Sequence, residues 1–180
     1  MIYMFLAEGF EETEALAPLD LLRRAGCEVT TVGVGSKTVC GSHGIPVVAD
    51  TTADDLAGAL LDLEMVILPG GMPGTLNLDA CKTVHLAIDK AVKSGAFVAA
   101  ICAAPMILGK KGLLDGKEAI CYPGFEKHLT GATVSDKKVV KDGRFITAKG
   151  MGVAVEFGLM LVEALKGAEL AADIRAAIMM

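Results

Sequence analysis

The chain predicts an open α/β sandwich, a mostly parallel sheet covered on both faces by helices. Three observations point there. The apolar runs are continuous rather than alternating, as strands buried on both faces require. Hydrophobic residues make up 53% of the chain but aromatics only 4%, so the apolar content is aliphatic and small. Strand-like and helix-like segments alternate from end to end, within the 180 residues of one domain.

The elements read off in order. Ile2 to Ala7 is a buried strand. Glu11 to Ala25 is a helix with Leu16, Leu19, Leu22 and Ala25 on one face; Gly26 closes it, and Pro18 inside it predicts a kink. Glu28 to Val34 is a second strand, and Val39 to Val48, with Gly41 and Gly44 in its middle, a small hairpin. Asp62 to Leu68 is a buried strand running into Pro69-Gly70-Gly71. Cys81 to Lys93 is a helix capped by Gly95, followed by the strand Phe97 to Ile101 and a helix opened by Pro105. Lys117 to Cys121 is a further strand. Val139 to Thr147 is a hairpin turning at Asp142-Gly143. Gly152 to Leu165 is an amphipathic helix, with another from Ala168. No repeat, low-complexity tract or linker divides the single domain spanning 1–180.

Composition excludes several functions. Net charge is −5, and the basic residues cluster only as the pairs Lys110-Lys111 and Lys137-Lys138, so no nucleic-acid partner is expected. The longest apolar stretch, Ala96 to Leu108, is too short for a bilayer, although mean hydropathy is +0.53. Acidic residues at Glu8, Glu11 and Glu12 stand where a secretory leader would be basic, and the five cysteines show no close pairing. Both favour the reducing cytoplasm. Surplus apolar surface suggests an oligomer.

The segment richest in chemistry is Ala99-Ala100-Ile101-Cys102-Ala103-Ala104-Pro105. A strand ends at one thiol, small residues follow, and a helix begins. A thiol on such an elbow lies at the positive end of the helix dipole, which favours thiolate. The plainer reading is an inert buried cysteine, a common state of the residue. Two other strand ends converge on the same rim if the strands are parallel neighbours. Gly70 and Gly71 offer bare N–H groups to an oxyanion, together with the amide beside Cys102, or form an ordinary turn. Glu11, Glu12 and Glu14 open a helix, where the dipole accounts for one or two of them. An ionised carboxylate would raise the thiol's pKa, whereas a glutamic acid keeping its proton would donate to sulfur. The chemistry therefore needs one buried, protonated Glu beside Cys102.

These pieces closely resemble the ThiJ/PfpI superfamily, in the branch of the parkinsonism-linked protein deglycase. The matching motifs are Ala7-Glu8-Gly9-Phe10-Glu11-Glu12-Thr13-Glu14, Leu68-Pro69-Gly70-Gly71-Met72-Pro73-Gly74, the Cys102 elbow, and Gly150-Met151-Gly152 with Glu156-Phe157. The resemblance implies a flavodoxin-like three-layer α/β sandwich, related to class I glutamine amidotransferases, and a homodimer. It implies that Cys102 is the reactive, oxidation-prone cysteine, Glu14 the protonated glutamate, and Gly70, Gly71 and Ala103 the backbone-amide positions. The branch often carries a histidine before a proline where this chain reads Cys121-Tyr122-Pro123. Tyr122 is a poor base near neutrality but a fitting substrate contact. Cys102-Ala103 departs from the Cys-His of protease-like members, and no histidine follows Gly150, unlike amidotransferases.

The expected function is a glyoxalase/deglycase-type enzyme acting on small α-oxoaldehydes, or their early glycation adducts, through a hemithioacetal on Cys102. No cofactor is called for. The alternative is an oxidative-stress sensor or chaperone-like protein with an oxidisable Cys102. Metal binding has little support: Cys81 and His85 share a helix face without further ligands, and Cys40 beside His43 reads as hairpin structure. His128 has no reason to enter the site. The methionines read as core filler, and Arg23-Arg24 as the close of their helix.

Overall fold

A computed structural model describes residues 1–56, 60 and 62–180. In chain order the elements are β1 (Ile2–Leu6), α1 (Glu12–Arg24), β2 (Val29–Gly33), β3 (Thr38–Cys40), β4 (Pro46–Val48), β5 (Thr51–Thr52), α2 (Ala53–Leu56) and β6 (Met65–Leu68). They continue with α3 (Gly74–Ala80), α4 (Lys82–Ser94), β7 (Phe97–Ile101), α5 (Pro105–Lys110), β8 (Glu118–Ala119), β9 (Thr133–Val134), β10 (Val139–Asp142), β11 (Phe145–Ala148), α6 (Ala154–Lys166) and α7 (Ala168–Ala177). Seven strands form one sheet in the order β10-β11-β7-β6-β1-β2-β5. Its pairs are parallel except the β10–β11 hairpin. Among the described residues no helix is long and apolar enough to cross a membrane.

Successive side chains of a strand point to opposite faces, and here both faces are buried. Met4, Leu6, Ile67, Ala99 and Ile101 pack under α1 and α6, against Leu19, Leu22, Phe157 and Leu161. Tyr3, Phe5, Val66, Leu68, Val98 and Ala100 pack on the other side with Leu78, Val84, Ile88 and Ile107. This two-sided burial is why the strands read as unbroken apolar runs.

Register places the site. Met4 of β1 pairs with Ile67 of β6, Leu68 with Ala100, and Ile101 with Ala148. The carboxyl ends of β1, β6 and β7 are therefore adjacent, and the three motif-bearing loops leave the sheet at one rim.

Several expectations change. The strand expected over Lys117–Cys121 shrinks to Glu118–Ala119, which pairs with Thr133–Val134 outside the main sheet. Side chains replace a backbone ladder there: the Glu118 N–H donates to Asp142 Oδ2 (2.9 Å) and the Ile120 N–H to Thr147 Oγ1 (3.0 Å). Leu19 and Leu22 of α1 and Ala25 at its end are buried as expected, but Leu16 is 37% exposed, and Ala15 and Leu21 are buried in addition. Met4 and Met65 fill the core, but Met72 and Met151 are exposed. Pro18 lies within one continuous helix. Its missing N–H removes the usual donor to the Glu14 carbonyl.

Pro18 also meets α6 closely. A Cβ added to Gly158 would lie 2.6 Å from Leu21 Cδ1 and 2.9 Å from Pro18 Cα. Glycine is what allows α6 to approach α1, the helix that carries Glu14. Gly158→Ala is expected to destabilise the chain by about 1–3 kcal/mol through overpacking. Urea denaturation checks this, and an unchanged midpoint would contradict the close approach.

Candidate active site

Cys102 follows directly on β7 with φ +63°, a left-handed conformation unusual for a residue with a Cβ. Holding it costs on the order of 1–3 kcal/mol, so the surroundings must enforce it. They do so from two sides. The Cys102 N–H donates to the Ala148 carbonyl at the end of β11 (2.9 Å), and the Cys102 carbonyl accepts from the Tyr122 N–H (2.8 Å). Ala103 and Ala104 are buried in the turn, and Pro105 takes the first position of α5. The elbow expected from the sequence is present.

The three glutamates at the start of α1 separate into three roles. Glu11 caps the helix, its Oε2 accepting the Glu14 N–H at 2.7 Å. Glu12 is buried but turned toward the β3–β4 loop, where it accepts the N–H groups of His43 (2.8 Å) and Ile45 (3.3 Å) and contacts His43 Nδ1 (3.2 Å). Glu14 is 1% exposed and hydrogen-bonded to the Cys102 thiol. Gly70 lies against both: a Cβ there would sit 2.5 Å from Glu14 Oε2 and 2.6 Å from Cys102 Cβ. The site closes only because residue 70 lacks a side chain.

The backbone amides also divide. The Gly70 N–H donates to Glu14 Oε2 at 3.0 Å, so it positions the carboxyl instead of standing free for an oxyanion, as the sequence suggested. The N–H groups of Gly71 and Ala103 point at the Cys102 sulfur. The Met151 N–H completes the shell of Glu14. That loop contact lies far along the chain, and only the Gly150-Met151-Gly152 motif hinted at it.

Burial dominates the electrostatics. It pushes the Glu14 carboxyl up from 4.5 to about 7, helped by the like charge of Glu11 and opposed by the bonds from Cys102 and Gly70. Burial also pushes the Cys102 thiol up to about 12, with the ionised Glu14 carboxylate as the next cause. The expectation that the turn, the dipole and a neighbouring protonated Glu would keep Cys102 a thiolate near neutrality is therefore corrected: Gly71 and Ala103 lower the thiol's pKa, but burial outweighs them. Protonating Glu14 removes its charge from beside the sulfur and turns its hydrogen bond into one donated to sulfur. Protonating Glu14 thus relieves the second cause of the raised thiol pKa, while burial, the largest, remains.

Other sequence candidates fall into place around this pair. Tyr122 is half-exposed and lines an open cavity of about 460 Å³ with Pro123, Lys149 and Gly150 to Val153. Its ring is 3.2 Å from where a Gly150 Cβ would be, and that same point is 3.9 Å from Glu14 Oε1, so the cavity adjoins the carboxyl. His128 packs its ring near Phe125 and its carbonyl against Gly109, toward the far end of α5. His85 Nε2 contacts the Asp79 carbonyl (2.7 Å) and forms no metal-ligand cluster with Cys81 among the described residues. Glu11, Glu12 and His43 do bring potential ligand atoms within 4.8 Å of one another, but the Glu12 oxygens already accept backbone N–H groups, as does Glu11 Oε2.

Folding raises the Glu14 pKa, so between 4.5 and about 7 the folded chain keeps a proton the unfolded chain has lost. This contribution to stability is intact below that window and falls as pH rises through it, by about 3 kcal/mol for an isolated group. Glu14→Gln should therefore gain on the wild type by up to that amount between acid and mildly alkaline pH. Denaturant titrations across the window check it, and a pH-independent difference would contradict the raised value.

Comparison with known proteins agrees with this architecture. Residues 1–164 match the DJ-1/PfpI family. Protein DJ-1 homolog B of Arabidopsis thaliana is 40% identical over 178 residues, covering 97% of this chain but 40% of its own length. The chain thus spans about two-fifths of that plant relative. The glutathione-independent glyoxalase DJR-1.2 of Caenorhabditis elegans is 34% identical over 163 residues, covering 90% of this chain and 86% of the relative. The crystal structure of Drosophila melanogaster DJ-1beta superposes with a TM-score of 0.92 at 35% identity, covering 99% of this chain and 97% of that one. With the Cys102 elbow, the Gly70 turn and Glu14 on one rim of such a sheet, the chain belongs to the DJ-1/PfpI family.

Proposed function

We propose that this chain is a cysteine-dependent glyoxalase-type enzyme acting on small α-oxoaldehydes such as methylglyoxal, with Cys102 as nucleophile and Glu14 as its acid and base. The observation that carries the reading is the buried Glu14 carboxyl, raised to about 7 and hydrogen-bonded to the thiol. A general base works best with a pKa near the operating pH. The relative named as a glutathione-independent glyoxalase supports the same reaction class.

The steps balance without a cofactor. Glu14 takes the thiol proton as sulfur adds to the aldehyde carbon and passes it to the new alkoxide, giving a hemithioacetal and a carboxylate again. Glu14 then removes the proton from that carbon and returns one to the neighbouring carbonyl carbon through an enediol. The first carbon is oxidised to a thioester and the second reduced to an alcohol. Water cleaves the thioester, releasing lactate and restoring the thiol. The N–H groups of Gly71 and Ala103, which lower the thiol's pKa, stabilise charge on the adding oxygen in this reading. Tyr122 contacts the substrate from the adjoining cavity. Early glycation adducts of proteins or nucleotides, whose carbonyl carbons accept the same thiol, extend the substrate class to deglycation.

A second reading, an oxidant sensor, draws on the cavity beside Glu14 being lined, among the described residues, by the phenol of Tyr122 and by no imidazole. A peroxide-formed sulfinate at Cys102 would be held by protonated Glu14.

Lactate released from methylglyoxal separates these readings. The wild type is expected to turn over, Cys102→Ser to be inactive, and Glu14→Gln to fall by about 100-fold or more. Equal lactate from all three would remove the enzyme reading. Sulfinate confined to Cys102 after peroxide, with no turnover, would favour the sensor.

A further inference from the structure

We infer that Glu11 is a positioning residue for the proposed chemistry: its backbone N–H ties the start of α1 to the Gly70 turn while its carboxylate caps the Glu14 N–H, and the two together hold the Glu14 carboxyl against the Cys102 thiol. The inference rests on Glu14 being the acid of the reacting pair.

A closed ring of three hydrogen bonds carries it. The Glu11 N–H donates to the Gly70 carbonyl (2.9 Å), the Gly70 N–H donates to Glu14 Oε2 (3.0 Å), and the Glu14 N–H donates to Glu11 Oε2 (2.7 Å). Each residue of the ring donates once and accepts once, so α1 cannot turn relative to the strand-end loop without breaking a bond. The loop is tight against the same residue: a Cβ on Gly71 would lie 2.4 Å from the Glu11 nitrogen. Helix caps are usually the shorter Ser, Thr, Asp or Asn. Glu11 does more than satisfy one N–H, because its half-buried carboxylate also presents a like charge to Glu14.

Few other groups compete for that influence. From the elbow, Cys102 faces Glu14 and is its direct partner. Tyr122 and Lys149 line the cavity beyond Gly150. Glu12 is occupied by the β3–β4 loop and His43. The Glu11 charge is thus the ionic influence on Glu14 that is separable from the reacting thiol.

Two substitutions divide position from charge. Glu11→Gln keeps an acceptor for the Glu14 N–H and removes the charge; Glu11→Ala removes both. Nuclear magnetic resonance of the labelled full chain across pH reads the Glu14 carboxyl carbon and the Gly70 amide together. In the wild type both are expected to titrate with one midpoint. In Glu11→Gln they should still titrate together, with the midpoint lower by about half a pH unit or more. In Glu11→Ala the Gly70 amide should cease to follow Glu14. A Glu11→Gln midpoint equal to the wild type, or a Gly70 amide that follows Glu14 unchanged in Glu11→Ala, would overturn the inference. Should the alanine variant fail to fold, Glu11→Met, which removes the acceptor but keeps the bulk, is read in the same way: a Gly70 amide that still follows Glu14 unchanged would overturn the inference. Neither readout requires turnover, so a wild type that released no lactate would sink the glyoxalase reading and leave this result standing.

Discussion

A carboxyl group sealed from water beside a thiol is the constraint around which the rim of this sheet is arranged. Burying Glu14 disfavours its charge, and the protein offsets that only in part, with N–H groups from Gly70 and Met151. The compromise leaves a proton that moves near neutrality. Cys102, Gly70, Glu11 and the Gly150–Met151 loop matter through their contacts with that one group. A stronger set of donors would make Glu14 an ordinary carboxylate, and a weaker one would keep it an inert acid.

The fold makes the arrangement possible by bringing together loops distant in sequence. Parallel pairing sets the carboxyl ends of β1, β6 and β7 side by side, so residues 14, 70 and 102 meet without long connections. Rigidity comes from the layers beneath. The strand ends are fixed by cores on both faces, and α1 is fixed by α6 at the Pro18–Gly158 contact. The strained backbone at Cys102 persists because Ala148 and Tyr122 hold its N–H and its carbonyl.

Much of this was legible in the amino-acid order. The apolar runs at 2–7 and 97–101 betray strands buried on both faces, and Cys102 between a strand and Pro105 betrays an elbow. The need for one protonated glutamate followed from thiol chemistry, but which of Glu11, Glu12 and Glu14 meets it depends on where α1 starts and how it is rotated. Periodicity cannot resolve that within one turn, and the resemblance supplied Glu14. The commitment of the Gly70 amide to Glu14 was hidden because a Gly-Gly pair shows N–H groups but not their partners. The direction of the thiol's pKa was also hidden: dipole and turn are readable locally, whereas burial is a property of the assembled layers. Lys117–Cys121 looked like a sheet strand because side-chain acceptors from Asp142 and Thr147 leave no trace in local pattern.

The account stands on Glu14 holding its proton where ordinary carboxylic acids have lost theirs. Difference infrared spectroscopy of wild type against Glu14→Gln, at a mildly acidic pH between the ordinary carboxyl range and about 7, observes that proton directly. The account predicts the carbonyl stretch of a protonated carboxylic acid in the wild type, absent from the variant. A wild type showing only carboxylate bands at that pH would contradict it.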